Sequence, residues 1–209
     1  MKLQINEVFR SIQGEGRFQG NPAVFVRVSG CTRSCSFCDT KYHAKSVDMT
    51  PQELANCIKV YNSQIIVFTG GEPLLQIKGI NATMEILGYE NYVYHIETNG
   101  DLLHPKKGWN ISLGKFDYIC CSPKTKKSIN NMINTLIETE VPYDIKVVTD
   151  MYRVNKGLVK YATMLMPLTK YKKQEDHKIR QAVWTYCEKN GLFYSARLHV
   201  EVWGTQKGR

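Results

Sequence analysis

The sequence predicts an α/β fold in which six core parallel strands with trimmed helices form an open partial (β/α) barrel. Apolar strand-like runs alternate with helical stretches along the chain, which is the pattern of a parallel sheet. Polar motifs directly follow four of these runs, as active-site residues do in parallel barrels. Six core strands are too few to close an eight-stranded barrel. With 209 residues, 43% of them hydrophobic, we expect one domain spanning 1–209.

The expected elements follow from short runs bounded by turn residues. The six core strands are expected at 23–28, 64–68, 92–96, 116–121, 144–148 and 162–167, with a first strand at 3–10 and a last one at 196–202. Helices are expected at 51–61, 81–87, 128–139 and 170–190. Thr50 and Glu53 form a capping box for the first helix, and Gly191 closes the last.

Four polar or thiol residues within these elements are interpreted as structural. We expect Cys57 to be a small core residue of its helix and His95 to be a core histidine with satisfied hydrogen bonds. Cys120 and Cys121 are adjacent in a strand and should point to opposite faces, so they do not predict a second metal cluster.

The composition restricts the functional classes. No apolar run approaches the ~20 residues that span a bilayer, and the first seven residues alternate like a strand rather than a signal peptide. We therefore expect a soluble, cytoplasmic protein with no membrane partner. The formal charge of +9 favours acidic partners, but without a nucleic-acid-binding signature no direct nucleic-acid partner is expected.

Three cysteines at C-x3-C-x2-C spacing, Cys31, Cys35 and Cys38, carry the strongest chemical signal. They can bind three irons of a [4Fe-4S] cluster and leave the fourth iron for a small molecule, whereas electron-transfer clusters normally have four thiolates. A zinc site with His43 as fourth ligand is the alternative. A disulfide framework is not expected, because the seven cysteines are an odd number.

Two further features lie within a strand or directly after one. Arg27 lies in an otherwise apolar strand, where a guanidinium needs an anion. That anion is either a structural partner, Glu15 or Glu72, or a substrate carboxylate. Thr69-Gly70-Gly71-Glu72-Pro73 ends the 64–68 strand, and its glycines would expose backbone groups to a ligand.

The cysteine spacing resembles that of the radical S-adenosylmethionine (SAM) enzymes. Further motifs extend the resemblance to the 7-carboxy-7-deazaguanine synthase family over essentially the whole chain. These motifs are Gln13-Gly14-Glu15-Gly16, Arg27-Val28-Ser29-Gly30-Cys31, Cys38-Asp39-Thr40, Gly70-Gly71-Glu72-Pro73, Glu97-Thr98-Asn99-Gly100, Ser122-Pro123-Lys124, and Leu198-His199-Val200 through Trp203-Gly204.

The resemblance implies ring contraction of 6-carboxy-5,6,7,8-tetrahydropterin to 7-carboxy-7-deazaguanine with loss of ammonia, by a homodimer that uses a [4Fe-4S] cluster, regenerated SAM and Mg2+. A flavodoxin-type protein would supply the electron. The implied cluster ligands are Cys31, Cys35 and Cys38, and Thr40 would bind Mg2+. The implied SAM contacts are Phe37, Asp39, Gly71, Glu72, Asn99, Ser122 and Lys124. The implied pterin contacts are Ile12, Gln13, Gly14, Arg27, Thr69 and His199.

The chain departs from the family pattern in two places. Met166 stands where a glutamine is expected before Pro167, and the tail after Gly204 differs from the usual ending. Two other functions remain open from the sequence: a glycyl-radical activating enzyme, which shares the cysteine motif, and a non-catalytic iron-sulfur or zinc binding module.

Overall fold

The sheet of this protein contains nine strands. A computed structural model describes residues 1–35, 38, 45–127, 129–206 and 208. The strands are β1 (Leu3–Ile12), β2 (Pro22–Val28), β3 (Val47–Met49), β4 (Ile65–Gly70), β5 (Val93–Thr98), β6 (Tyr118–Cys121), β7 (Tyr143–Thr149), β8 (Met164–Pro167) and β9 (Phe193–Tyr194).

The strands are ordered β3-β1-β2-β4-β5-β6-β7-β8-β9. β1 pairs antiparallel with β2 and β3, whereas every neighbouring pair from β2 to β9 is parallel. The six predicted core strands are therefore the parallel series from β2 to β8. Because β3 and β9 are the two ends of the sheet, the barrel is open, and the predicted fold class is confirmed.

The connections between parallel strands contain α-helices of 5 to 18 residues, except the connection from β7 to β8. The α-helices are α1 (Pro51–Lys59), α2 (Ile77–Leu87), α3 (Trp109–Leu113), α4 (Ile129–Glu138), α5 (Lys173–Asn190) and α6 (Leu198–Trp203). A single 3₁₀ stretch, Lys156–Tyr161, joins β7 to β8. The predicted capping box of α1 is present, and Gly191 ends α5 with a left-handed φ of 63°. None of the described helices is long and apolar enough to cross a membrane.

The two faces of the parallel sheet differ in chemistry. One face packs against the helices and forms the main core, to which β2, for example, contributes Val24, Val26 and Val28. The alternate residues of the strands point to the other face, which we call the inner face. At the carboxyl ends of the strands this inner face is polar, and it carries Arg27, Thr69, Glu97, Cys120 and Lys146.

The loop between β1 and β2, residues 13–21, crosses the inner face. Phe18 packs on Tyr118 of β6, with ring centroids 4.9 Å apart. Arg17 forms two hydrogen bonds of 2.7 and 2.8 Å to Asp144 of β7. The backbone N–H of Gly16 donates to Ser195 Oγ, just after β9, at 2.8 Å. This loop therefore covers the inner face of the sheet from β5 to β9.

Three predictions about elements were wrong. Residues 198–203 form helix α6 rather than a strand, although their alternating pattern is typical of one. The edge position beside β8 is occupied instead by Phe193–Tyr194. The helix expected at 81–87 begins earlier, at Ile77, after a 3₁₀ turn at Pro73–Gln76. The short edge strand β3 was not predicted.

Candidate active site

The cysteine loop leaves the carboxyl end of β2. Cys31, Cys35 and Cys38 are free thiols and are partly exposed. The backbone N–H of Cys38 donates to the carbonyl of Cys35 at 3.1 Å. Within the described residues, no three His, Cys, Asp or Glu side chains surround one metal ion. A [4Fe-4S] cluster does not require that arrangement, because its thiolates bind separate irons, and three accessible thiols on one loop fit it.

The loop after β5 holds the cysteine loop in place. Arg33 donates two hydrogen bonds to the carboxylate of Asp101, one of them 2.6 Å long. The side-chain amide of Asn99 donates to Thr32 Oγ1 at 2.9 Å and lies 3.9 Å from the sulfur of Cys31. Asn99, a predicted SAM contact, therefore lies beside a predicted cluster ligand.

The predicted SAM contact Gly71 allows two loops to touch. A Cβ atom at this position would lie 1.7 Å from the carbonyl oxygen of Gly30, so the close approach requires glycine. The backbone N–H groups of Gly71 and Glu72 donate to the carbonyls of Val28 and Gly30 at 3.0 and 2.8 Å. The end of β4 is thus fixed against the start of the cysteine loop.

Glu72, also predicted to contact SAM, is fully buried. Its carboxylate accepts hydrogen bonds from the Thr98 hydroxyl at 2.7 Å and the Asn99 backbone N–H at 2.8 Å. A third bond comes from the backbone N–H of Leu74 at 3.0 Å. Burial raises the pKa of Glu72, although these donors oppose the shift. The structure therefore gives this carboxylate the role of joining the ends of β4 and β5.

Ser122 and Lys124 follow β6 at the same end of the sheet. The amine of Lys124 donates to Ser122 Oγ at 2.6 Å. Burial and the nearby charge of Lys146 lower the pKa of Lys124. An anion such as the SAM carboxylate would satisfy this amine.

Two predicted pterin contacts meet at Glu97. The Gln13 side-chain amide donates to Glu97 Oε1 at 3.2 Å, and the Thr69 hydroxyl donates to Glu97 Oε2 at 2.9 Å. The sequence places Glu97 in the Glu97-Thr98-Asn99-Gly100 motif but predicts no role for it. Its position on the inner face, two residues before Asn99 on β5, is the signal that could have identified it.

The ion-pair partner predicted for Arg27 was wrong. Arg27 Nε donates to Glu7 Oε1 of β1 at 2.6 Å, not to Glu15 or Glu72. Both side chains are about one-fifth exposed, at 19% and 23%. This ion pair does not test the predicted contact between Arg27 and a substrate carboxylate.

The remaining predicted pterin contacts lie near the end of β1 and at the start of α6. Gly14 contacts the ring of His199, and its carbonyl accepts a hydrogen bond from the backbone N–H of Leu198 at 3.0 Å. His199 Nε2 is 3.8 Å from Glu15 Oε1. The side chain of Ile12 is about half exposed, at 49%, at the end of β1.

Glu15 is the centre of a buried charge network that the sequence did not reveal. Lys146 donates to it at 2.6 Å and Arg197 at 3.1 Å. Burial opposes ionisation of Glu15, but these two cations outweigh it and lower the pKa of the carboxyl group. The partners are 131 and 182 residues away in the sequence, so no local pattern could predict them.

Several predicted residues cannot be placed. Phe37, Asp39, Thr40 and His43 lie outside the described residues.

Cys120 and Cys121 point to opposite faces, as predicted: Cys120 lines a pocket of the inner face, and Cys121 belongs to the core. Burial raises the pKa of Cys120 to about 12, so its thiol is neutral at pH 7.

Comparison with known proteins agrees with this geometry. Residues 25–116 match the model of the radical SAM superfamily. The chain is 38% identical over 144 residues to a 7-carboxy-7-deazaguanine synthase of Bacteroides thetaiotaomicron, which covers 69% of this chain and 72% of that relative. A relative of the same name from Pyrobaculum aerophilum is 28% identical over 223 residues, with 100% and 98% coverage. The crystal structure of QueE from Escherichia coli has a similar fold, with a TM-score of 0.74 at 21% identity over 95% of each chain.

Proposed function

Because the chain belongs to the 7-carboxy-7-deazaguanine synthase family of radical SAM enzymes, we propose that it converts 6-carboxy-5,6,7,8-tetrahydropterin to 7-carboxy-7-deazaguanine. Ammonia is the second product, and it accounts for the nitrogen that the ring loses. The observation that carries the proposal is the hydrogen-bonded set of Gln13, Thr69 and Glu97 on the inner face. It brings three separate motifs together at the end of the sheet from which the cysteine loop leaves.

The cysteine loop and its neighbours would hold the cofactors. Cys31, Cys35 and Cys38 would bind the cluster, and Asn99 beside Cys31 is within reach of a molecule on the open iron. Together the cluster and SAM supply the radical that removes a hydrogen atom from the substrate. The chain's own task is to position the substrate and to exclude water from a reactive radical.

The charges of the site suit two anionic ligands. Substrate and SAM each bring a carboxylate, and Lys124, Lys146 and Arg197 lie at the same end of the inner face or next to it. Lys146 and Arg197 both donate to the carboxylate of Glu15. Arg27 is proposed to add a bidentate contact to the substrate carboxylate.

Further assignments rest on the family resemblance and on the composition. Thr40 would bind Mg2+, a hard cation that takes oxygen ligands and keeps several waters. The enzyme would act as a homodimer in the cytoplasm. A flavodoxin-type protein, acidic and therefore attracted by the basic surface, would deliver the electron. No membrane and no nucleic acid take part.

The test is an anaerobic assay of the reconstituted protein with dithionite, SAM, Mg2+ and 6-carboxytetrahydropterin. We expect carboxydeazaguanine, identified by mass and ultraviolet spectrum, without stoichiometric consumption of SAM. The variant Cys35→Ala should lose all SAM cleavage, because it removes one of three protein ligands of the cluster. Cys57→Ala is the matched control, since this thiol lies on α1, away from the cysteine loop.

The outcomes separate the possible functions. If deoxyadenosine forms while the pterin remains unchanged, the proposed substrate is wrong. That result would favour a glycyl-radical activating enzyme. SAM cleavage retained in Cys35→Ala would contradict the cluster assignment. Purified protein that holds zinc instead of iron, and that fails to cleave SAM after reconstitution, would favour a non-catalytic binding module.

A further inference from the structure

A pocket opens on the inner face below Glu97, toward the amino ends of the strands. Its enclosed volume is about 10 Å³, room for one water-sized group, and the mouth above it is open to solvent. Gln13 and Glu97 lie at the edge that faces the proposed substrate contacts, and His95, two residues earlier on β5, lines the pocket farther from the cysteine loop. The other lining residues are Glu15, Gly16, Arg17, Phe18, Ile96, Tyr118 and Cys120.

His95 is the unusual member of this lining. It is only 2% exposed and lies between Phe18 and Tyr118, with ring centroids 4.3 and 5.3 Å away. Its Nε2 atom is buried and has no hydrogen-bond partner in the part of the chain that the structure describes. The satisfied core histidine predicted from sequence is therefore buried but not satisfied. Buried polar atoms in native proteins nearly always have a partner, so a water or a polar group of a ligand is expected beside this one.

The other polar groups beside His95 are already engaged. The hydroxyl of Tyr118 donates to Asp144 at 2.8 Å. Glu97 accepts from Gln13 and Thr69. Burial lowers the pKa of His95 to about 4, so the imidazole is neutral at pH 7 and offers one donor and one acceptor nitrogen.

The position of His95 along β5 fits one end of a pterin. Asn99 lies beside Cys31, which would bind the cluster. Glu97 and then His95 precede Asn99 at two-residue steps, each about 6.6 Å along an extended chain. The proposed function assigns the substrate carboxylate to Arg27, which precedes the cysteine loop at the end of β2, so that end of the ring lies near the loop. The opposite end of the bicyclic ring, its 2-amino-4-oxopyrimidine edge, then points away from the cysteine loop and toward His95.

We propose that Nε2 of His95 forms a hydrogen bond with the pyrimidine edge of the pterin and so helps to select this ring. This inference rests on the proposed function, because it takes the substrate from it. His95 is a specificity-determining residue here, and the chemistry of the radical does not involve it. A pyrimidine edge alternates donors and acceptors, so a neutral imidazole can pair with it.

The test measures binding of oxidised 6-carboxypterin, an unreactive ligand with the same carboxylate and pyrimidine edge. Titrations use reconstituted, SAM-loaded protein under anaerobic conditions. His95→Leu should weaken binding about tenfold or more, because it removes the hydrogen bond but keeps an apolar side chain. His95→Gln should restore most of the affinity. The dissociation constant of SAM should not change, and His177→Leu, at an exposed position of α5, is the matched control.

A truncated ligand separates the hydrogen bond from a general packing effect. Pyrazine-2-carboxylate keeps the carboxylate and one ring but lacks the pyrimidine edge, so its affinity should be the same in wild type and His95→Leu. Equal losses for both ligands, or no loss for either, would overturn the role of His95. Wild-type protein that binds SAM but no carboxypterin would overturn both this inference and the proposed substrate.

A measurement on the unsubstituted protein covers the case in which the variants do not fold. In protein labelled with 15N-histidine, addition of 6-carboxypterin should shift the ring-nitrogen resonances of His95. Unchanged His95 resonances at saturating ligand would overturn the proposal.

Discussion

Glu97 connects two segments that the sequence predicts separately to contact the substrate. Its carboxylate accepts from Gln13, 84 residues earlier, and from Thr69, 28 residues earlier. The residue types of the site could be predicted from motifs, because hydroxyl, amide and glycine positions recur at strand ends. Which side chains pair could not be predicted, because the pairing depends on how residues 13–21 cross the sheet.

The pair between Arg27 and Glu7 gives a direct test of the role of Arg27. If Arg27 binds the substrate carboxylate, Arg27→Ala should weaken carboxypterin binding about a hundredfold, because a charge-assisted bidentate contact is lost. Glu7→Gln is the matched variant, since it breaks the ion pair but keeps the guanidinium. It should change binding less than about threefold. Equal losses in both variants, measured by titration with SAM binding as reference, would show that the pair is structural.

The buried imidazole of His95 should make folding stability depend on pH. Its pKa in the folded protein is about 4, below the usual 6.5, so below pH 6.5 the unfolded chain binds a proton that the folded protein does not. The contribution of this lowered pKa to the free energy of unfolding is present above pH 6.5 and is lost as the pH falls toward 4. We expect a loss of about 2 kcal/mol at pH 5 relative to pH 7. His95→Gln should remove this part of the dependence in denaturant titrations, and parallel pH curves for both proteins would contradict it.

The conformation of helix α6 could not be predicted from the hydrophobicity pattern of its own residues. Residues 196–202 alternate in hydrophobicity like a strand, yet β9 already occupies the edge of the sheet beside β8. The backbone N–H of Leu198 bonds to the Gly14 carbonyl, and His199 packs on Gly14. Tertiary contacts therefore determined the conformation of this segment, as they often do for short weakly biased sequences. The longer elements, including α1 with its capping box, were predictable because their signals are local.

The contact between the ends of β2 and β4 depends on Gly71. In Gly71→Ala the new methyl group would lie 1.7 Å from the Gly30 carbonyl oxygen, so the cysteine loop must move away from β4. We expect a loss of about 2 kcal/mol or more in unfolding free energy, lower iron content after reconstitution and weaker SAM binding. Unfolding, iron analysis and SAM titration measure these effects.

Gly157→Ala is the matched control for that substitution. Its added methyl group would meet only the flexible end of Lys126, which can move aside. Normal iron content and SAM affinity in Gly71→Ala, or losses of equal size in Gly157→Ala, would contradict the role given to the contact between the two loops.

At the scale of the whole molecule, the predicted sheet emerged because its core strands are short, apolar and regularly spaced along the chain. The buried network of Glu15, Lys146 and Arg197 could not be predicted, because its residues come from distant segments of the chain. The net charge of +9 is a global property that can be read directly from the sequence. For the acidic protein reductant proposed above, this charge predicts long-range attraction, which affects the association rate and not the fold.

Reduction by an acidic flavodoxin should therefore depend on ionic strength. The second-order rate constant should fall about tenfold between ~50 and ~200 mM salt, whereas turnover with dithionite should change much less. Lys106 and Lys107 are exposed and follow closely after Asp101, the partner of Arg33 on the cysteine loop. The double variant Lys106→Glu, Lys107→Glu should slow flavodoxin-dependent reduction.

A control with the same change in charge distinguishes position from net charge. Lys59 and Lys189 are exposed near the ends of α1 and α5, which precede β4 and β9 and so lie toward the amino ends of the strands. Lys59→Glu with Lys189→Glu should slow reduction less, because these residues are farther from the cysteine loop than the Debye length of about 10 Å. Equal effects of the two double variants would mean that net charge alone governs the encounter. No salt dependence with flavodoxin would remove the electrostatic argument for an acidic donor.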